Sequence, residues 1–304
     1  MQDYFLGANS AEGFYSLYDG FPPGPGSFLH VLKGGPGTGK SSMLRAIAGA
    51  AERRGLEVQR VLCSGDPDSL DGVYLPALGL AWADGTAPHA LEPGLFGANG
   101  DYVNLGAYFT HPFTDGEKEA LSLLQRDYKA CYRRAYGLLA ACKALGGGRW
   151  ADCPEEELRR VLREVPDRGR PGNLTRRFTS AVTCKGLIRL RAVPEGSVLV
   201  QAPADALSAA ATEASRRGWE AILCLSPLCP WEAEALLLPE RGLAFTAAPD
   251  PTPASQAMLE QAVAALREAK AFHDELEACY RPHMDFAGLS AFTEKLLRDL
   301  FPDD

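Results

Sequence analysis

Residues Gly34-Gly35-Pro36-Gly37-Thr38-Gly39-Lys40-Ser41 follow the spacing G-x-x-x-x-G-K-S, with Ser42 next in line. These residue types suit the holding of a phosphate chain. Glycines let successive backbone N–H groups turn toward an anion with no side chain in the way. The lysine of such a loop reaches the terminal phosphates, and the hydroxyl after it ligates Mg²⁺. The candidate cradle is therefore Gly34 to Ser42, with Lys40 as the charged contact and Ser41 as a metal ligand.

This chemistry also needs a carboxylate at a strand end for the Mg²⁺ shell. Asp84 follows the apolar run Leu78-Gly79-Leu80-Ala81-Trp82-Ala83 and is the candidate; a plain turn aspartate before Gly85 is the alternative. Asp66 and Asp68 follow a second apolar run ending at Cys63, where they would orient water, bind a substrate or cap the turn. We take Lys40, Asp84 and Asp66 as the candidate catalytic residues. His89 is a candidate for the site's edge, against a role as a loop hydrogen-bonder. No Asp-Glu pair ends an apolar strand, which counts against a fast hydrolysis engine.

The flanking elements suit the loop. Phe28-Leu29-His30-Val31-Leu32-Lys33 reads as a buried strand, and Met43, Leu44, Ile47, Ala48 and Ala51 trace one helical face over 42–54. Gly55 is a natural helix stop, and Leu56 to Cys63 reads as the next strand. Strand, loop, helix and strand form the context in which this motif carries meaning, since the helix N-terminus also favours the anion.

With 304 residues the chain is long enough for two domains. The composition, 46% apolar and 23% charged, is ordinary for a globular protein. A net charge of −8 argues against nucleic acid as the main partner, although Arg168, Arg170, Arg176 and Arg177 form a local basic cluster. No stretch approaches the ~20 apolar residues of a membrane span. Nor does the N-terminus carry a signal-peptide pattern. Eight cysteines without a C-x-x-C pair read as free thiols, so a cytoplasmic setting is expected.

The chain also resembles itself. Phe5 to Leu17 lines up with Phe178 to Leu190, Arg53-Arg54-Gly55 with Arg216-Arg217-Gly218, and Leu75-Pro76 with Leu238-Pro239. The second copy is shorter in the middle. There Gln201-Ala202-Pro203-Ala204-Asp205-Ala206-Leu207 stands in place of the phosphate loop, with Asp205 placed to cap the next helix. The spacing therefore predicts a tandem pair of α/β units with mostly parallel sheets flanked by helices, only the first binding nucleotide. Each unit is followed by a helical arm: Glu117 to Leu145 and Ser255 to Tyr280 both carry apolar seams at three–four spacing. The arms are expected to pack on each other, with Pro166 to Asn173 as a linker. The expected domains are residues 1–172 and 173–304.

These motifs resemble a bacterial family of duplicated P-loop proteins described only as ATP-binding or ATPase-like. The residues that carry the likeness are Ala8 to Phe14, Lys33 to Ser42, Cys63 to Gly72, Asp84 to His89 and Ala269 to Glu277. The resemblance implies ATP binding in the first half. Members of that family can carry a second glycine-rich loop, and this chain departs from that pattern there.

The reading is of a Mg²⁺-dependent ATPase with one competent site and ATP and Mg²⁺ as its ligands. ATP is favoured over GTP because no N-K-x-D segment occurs. Arg176, Arg177, Arg189 or Arg191 are candidates for an arginine finger from the second half. Two alternatives stay open: a small-molecule kinase with Asp66 or Asp68 as base, and a nucleotide-gated interaction protein whose arms move on binding. The partner beyond nucleotide is a protein or a small molecule of unspecified kind.

Overall fold

The structure is a computed structural model that describes residues 3–24, 26–89, 91–146, 162, 165–191, 193, 197–202, 204–247 and 252–302. Gly147, Gly148, Cys153 and Pro203 fall outside the described residues. In chain order the first strands are β1 (Asp3–Tyr4), β2 (Gly7–Ser10), β3 (Gly13–Ser16) and β4 (Phe28–Lys33). Helix α1 (Lys40–Arg53) follows, then β5 (Gln59–Leu62), β6 (Leu70–Leu75), β7 (Leu80–Asp84), β8 (Gly100–Asn104) and helix α2 (Asp115–Leu145). Next come β9 (Leu174–Arg177), β10 (Ser180–Thr183), β11 (Gly186–Arg189), β12 (Val198–Gln201) and helix α3 (Ala204–Arg216). The chain continues through β13 (Ala221–Leu225), β14 (Ala233–Leu238) and β15 (Leu243–Thr246) to helices α4 (Pro253–Tyr280) and α5 (Phe286–Leu300).

Neither compact unit is a contiguous half of the chain. One comprises Asp3–Gly20 with Ala135–Val263, and the other Phe21–Arg134 with Ala264–Asp304. The boundaries fall inside α2 and α4, and the 172/173 cut of the sequence reading lies inside the first of these units.

In the unit that carries the phosphate-loop motif the strands run in the order β5-β6-β7-β4-β8. β4 is parallel to β7 and β8, while β6 is antiparallel to β5 and β7, so four of the five strands share one direction. The apolar face of α1 lies in the core of this unit: Met43, Leu44, Ile47, Ala48 and Ala51 cluster with Leu32, Val73, Leu75 and Trp82, and with Leu289 and Phe301. At its C-terminus, Gly55 has φ 71° and lets the chain reverse, so that the Leu56 N–H donates back to the Ala51 carbonyl at 3.1 Å. Within this unit α2 and α4 pack together as expected: Arg134 donates to Glu268, and the Tyr128 and His273 rings lie 6.0 Å apart.

The other unit holds a sheet in the order β12-β15-β14-β13-β9, again with one strand, β14, opposed to the other four. Leu207, Ala210, Ala211 and Ala214 of α3 are buried. The β12-to-α3 connection spans only positions 202–203, whereas 34–39 join β4 to α1. Asp205 falls in the first turn of α3 and not before it, so it is not the N-cap residue.

Two hairpins in this unit repeat one turn chemistry. In β2–β3 the Ser10 hydroxyl donates to Gly13 O at 2.7 Å and accepts from the Glu12 N–H at 3.1 Å. In β10–β11 the Thr183 hydroxyl donates to Gly186 O at 3.0 Å and accepts from the Lys185 N–H at 3.0 Å. Ser10 and Thr183 fall opposite each other when Phe5 to Leu17 is set against Phe178 to Leu190.

The stretch 166–173 does not behave as a linker. Trp219 donates its indole N–H to Pro166 O at 2.8 Å, the Gly172 N–H donates to Ser215 O at 2.7 Å, and the Arg168 guanidinium stacks 3.4 Å over the Trp219 ring. The glycines and prolines there let the backbone lie close against an indole, which composition alone reads as looseness. The basic cluster is likewise engaged: Arg168 also pairs with Glu240 at 2.8 Å, and buried Arg177 stacks over Tyr4. A buried guanidinium held by a ring does not suit the finger role considered for Arg177.

Candidate nucleotide site

The loop begins where β4 ends and closes where α1 starts, so its geometry is set by two elements buried in one core. Gly39 is the residue before the helix and has φ 93°, a conformation that favours glycine. Gly37, at φ 68°, is the second such position, and a Cβ there would lie 3.0 Å from the backbone of Glu277 on α4. The same rule applied to Gly39 puts a Cβ 2.7 Å from Leu289 on α5. The outer side of the loop is therefore pressed against the last helices of the chain.

Within the loop, buried Thr38 donates its hydroxyl to Gly35 O at 2.8 Å. Pro36 opens the turn, and Ser42 sits exposed in the first turn of α1. The Lys40 ammonium donates to Gly34 O and Gly35 O, both at 2.7 Å, and lies 3.6 Å from Asp84 Oδ2. Asp84 is the last residue of β7, the strand beside β4. Its Oδ1 accepts from both the N–H (2.8 Å) and the hydroxyl of Thr86, which leaves Oδ2 toward Lys40. Lys33 ties down the chain after Asp84 by donating to Gly85 O at 3.1 Å and Leu91 O at 3.2 Å.

Ser41 is anchored from a different strand. Its hydroxyl oxygen accepts from the Leu70 N–H of β6 at 3.0 Å, and a hydroxyl oxygen keeps a second lone pair for a cation. Among the described residues, the N–H groups of Gly37, Gly39, Lys40 and Ser41 donate to no protein acceptor. Donors at a loop and helix N-terminus with a lysine beside them fit a phosphate chain. Among the described residues no group of three or more His, Cys, Asp and Glu is placed to hold a metal by itself. A Mg²⁺ ion here would take one or two protein oxygens, Ser41 and Asp84, with the phosphates supplying others.

Asp66 follows β5 at the same end of the sheet. Its carboxylate accepts from the Asp68 N–H at 3.2 Å and lies 3.5 Å from the Lys270 ammonium of α4. The Asp68 carbonyl accepts from the Arg45 guanidinium at 2.5 Å.

Sequence reasoning marked the segment Asp66 to Gly72 as a candidate for function but gave Asp71 no role of its own. It is the extra residue of a β-bulge: Val61 pairs with Gly72 and Leu62 with Leu70, so Asp71 has no opposite number. Bulges re-aim side chains, and Asp71, almost fully buried, lies 3.2 Å from Nε2 of His89, which is buried too. Burial would lower the His89 pKa, but the Asp71 carboxylate outweighs it with help from Asp84, so the net shift is upward against an opposing effect of Lys40. A signal was present in the sequence. The register that pairs Leu75 with Leu238 also pairs Asp71 with Glu234, and Glu234 is the extra residue of a bulge between β13 and β14.

The Cys63 thiol is pushed well up by burial and by the neighbouring Asp71 carboxylate, so it is poorly suited to nucleophilic chemistry. The described cysteines are free, and among the described residues no helix is long and apolar enough to cross a membrane. Comparison with protein-family models, with curated proteins and with solved structures returned no match to this chain.

Proposed function

We propose that this chain is a Mg²⁺-dependent ATP-binding protein that hydrolyses ATP at one site, built on Gly34 to Ser41. The observation that carries this reading is the meeting of Lys40 and Asp84, 3.6 Å apart, at the junction of β4, its parallel neighbour β7 and the N-terminus of α1. Backbone N–H groups of 37–41 bind the phosphates, and Lys40 leaves the Gly34 and Gly35 carbonyls for the terminal phosphate oxygens. Ser41 and Asp84 hold the cation side. Bound Mg²⁺ supplies charge neutralisation across the phosphate oxygens.

The shared strand order and the repeated hairpin turn support a tandem duplication of one P-loop-type unit. In the second copy, positions 202–203 are too short a connection for a phosphate cradle, which supports a single nucleotide site. The kinase alternative finds less support, because Asp66 is already engaged by Lys270 and by the Asp68 N–H.

The test is direct. Purified protein is titrated with ATP and ADP with and without Mg²⁺, and phosphate release is followed with no added acceptor. Saturable, Mg²⁺-dependent binding with steady turnover is the expected result. Absence of binding would sink the proposal, and turnover that requires an acceptor would replace hydrolysis with phosphoryl transfer.

A further inference from the structure

Three strands bring their functional ends to one edge of the sheet. β4 and β7 are parallel and end at the loop and at Asp84; β6 is antiparallel to β7, so its first residues, Leu70 and Asp71, lie at that same edge. Leu70 is joined there to the loop by its hydrogen bond to Ser41. The chain after Asp84 folds back through a turn in which the Thr86 hydroxyl reaches Gly34 O at 3.4 Å and the His89 N–H donates to Thr86 O at 3.0 Å. That turn delivers the His89 ring to the Asp71 carboxylate.

We infer that His89, seated on Asp71, contacts the terminal phosphate of a nucleoside triphosphate held by Gly34 to Ser41; the inference rests on the ATP-binding reading above. A buried carboxylate on one ring nitrogen fixes the ring's orientation and stabilises its charged form, which donates from both nitrogens. The turn that carries His89 starts at Asp84, the partner of Lys40, and touches the loop at Gly34, so the ring is delivered to the end of the sheet where the phosphates would lie. Its upward pKa shift fits a cationic donor better than a neutral base. The arrangement provides, within one unit, the positive charge that many phosphoryl-transfer sites draw from an arginine.

The second copy supplies a control. Glu234 occupies the same bulge position but accepts from the Ser180 hydroxyl at 2.8 Å, and the sequence register sets Thr252 against His89. The acid belongs to both copies, whereas the histidine is confined to the copy with the loop. Asp71 is then a positioning residue that acts through His89.

The experiment compares affinities for Mg²⁺–ADP and for a non-hydrolysable Mg²⁺–ATP analogue in wild type, His89→Gln and Asp71→Asn. Loss of a charged hydrogen bond predicts a fall of about 10-fold or more in analogue affinity for His89→Gln, with ADP affinity changed by less than about 2-fold. Asp71→Asn should move the same ratio in the same direction, which a merely structural role would not do. Equal losses for both nucleotides, or no loss for either, would overturn the inference. Should the variants fold poorly, the wild-type protein decides it. The ¹⁵N resonances of the His89 ring should shift with the analogue and stay put with ADP, and equal responses would refute the contact. If wild type binds neither nucleotide, the ATP-binding reading falls first and this inference with it.

Discussion

Lys40 Nζ lies 3.6 Å from Asp84 Oδ2, with 12% and 16% of the two side chains exposed. An ammonium and a carboxylate so largely withdrawn from water stand opposite each other at the mouth of the loop. Removing either one leaves the other inadequately paired, so the two substitutions differ in what they take from the site.

Lys40→Ala should weaken ATP binding severely. The lost charged contacts to phosphate predict a fall in affinity of about 10–100-fold, seen by calorimetric titration. Retention of wild-type affinity would remove the central role assigned to the loop.

Asp84→Asn should keep the shape of the turn, because the Asn carbonyl can still accept from the Thr86 N–H. What it loses is the charge that supports the cation. Turnover and Mg²⁺ affinity are expected to fall about 10–100-fold, with Mg²⁺-free nucleotide binding much less affected. A Mg²⁺ titration of turnover distinguishes this from simple misfolding, and an unchanged Mg²⁺ response would remove Asp84 from the metal side.

Gly37→Ala separates conformational strain from crowding. At φ 68°, an L-residue costs roughly 1–2 kcal/mol, and the new Cβ would also press on the Glu277 backbone at 3.0 Å. Gly13→Ala meets a similar backbone problem at φ 99° with nothing within 4 Å. Denaturant unfolding should show the larger loss for Gly37→Ala, together with weakened nucleotide binding. Equal losses would mean that the helix contact contributes nothing.

Glu117 gives a stability signature in acid. It caps α2 by accepting from the Thr114 hydroxyl and N–H, each at 2.7 Å, and these bonds, with His283 adding less, hold its pKa down to about 2. Because the folded pKa lies below the usual 4.5, the stabilisation is complete above that value and is lost as pH falls toward about 2. The melting temperature of Glu117→Gln should therefore lie below wild type at neutral pH and converge with it near pH 2. A constant difference across that range would assign the effect to shape rather than charge.

Local pattern carried the loop and its neighbours well. Helix α1 covers Lys40–Arg53 where 42–54 was expected, and α4 begins at Pro253 where Ser255 was expected. Leu259, Ala262, Leu266, Ala269 and Leu276 of its seam are buried. In α2 the buried positions step from Ala135 to Leu139, because helical rotation over four residues returns more nearly to the same face than rotation over three. What composition could not convey was the bulge that turns Asp71 inward, because it depends on the pairing of β5 with β6. Nor could it place Glu277 and Leu289 against glycines some 240 or more positions earlier, a contact set by packing alone.

The discontinuous units carry a practical lesson for dissecting the protein. A fragment ending at position 172 keeps every residue from Gly34 to His89, yet it discards Leu289 and Phe301 from the core beneath α1 and Glu277 from behind Gly37. Cutting there would thus strip the nucleotide loop of its foundation while leaving its motif intact on paper. Genetic truncation at that point would report on a collapsed scaffold, and residue-by-residue substitution in the full chain is the sounder route to its chemistry.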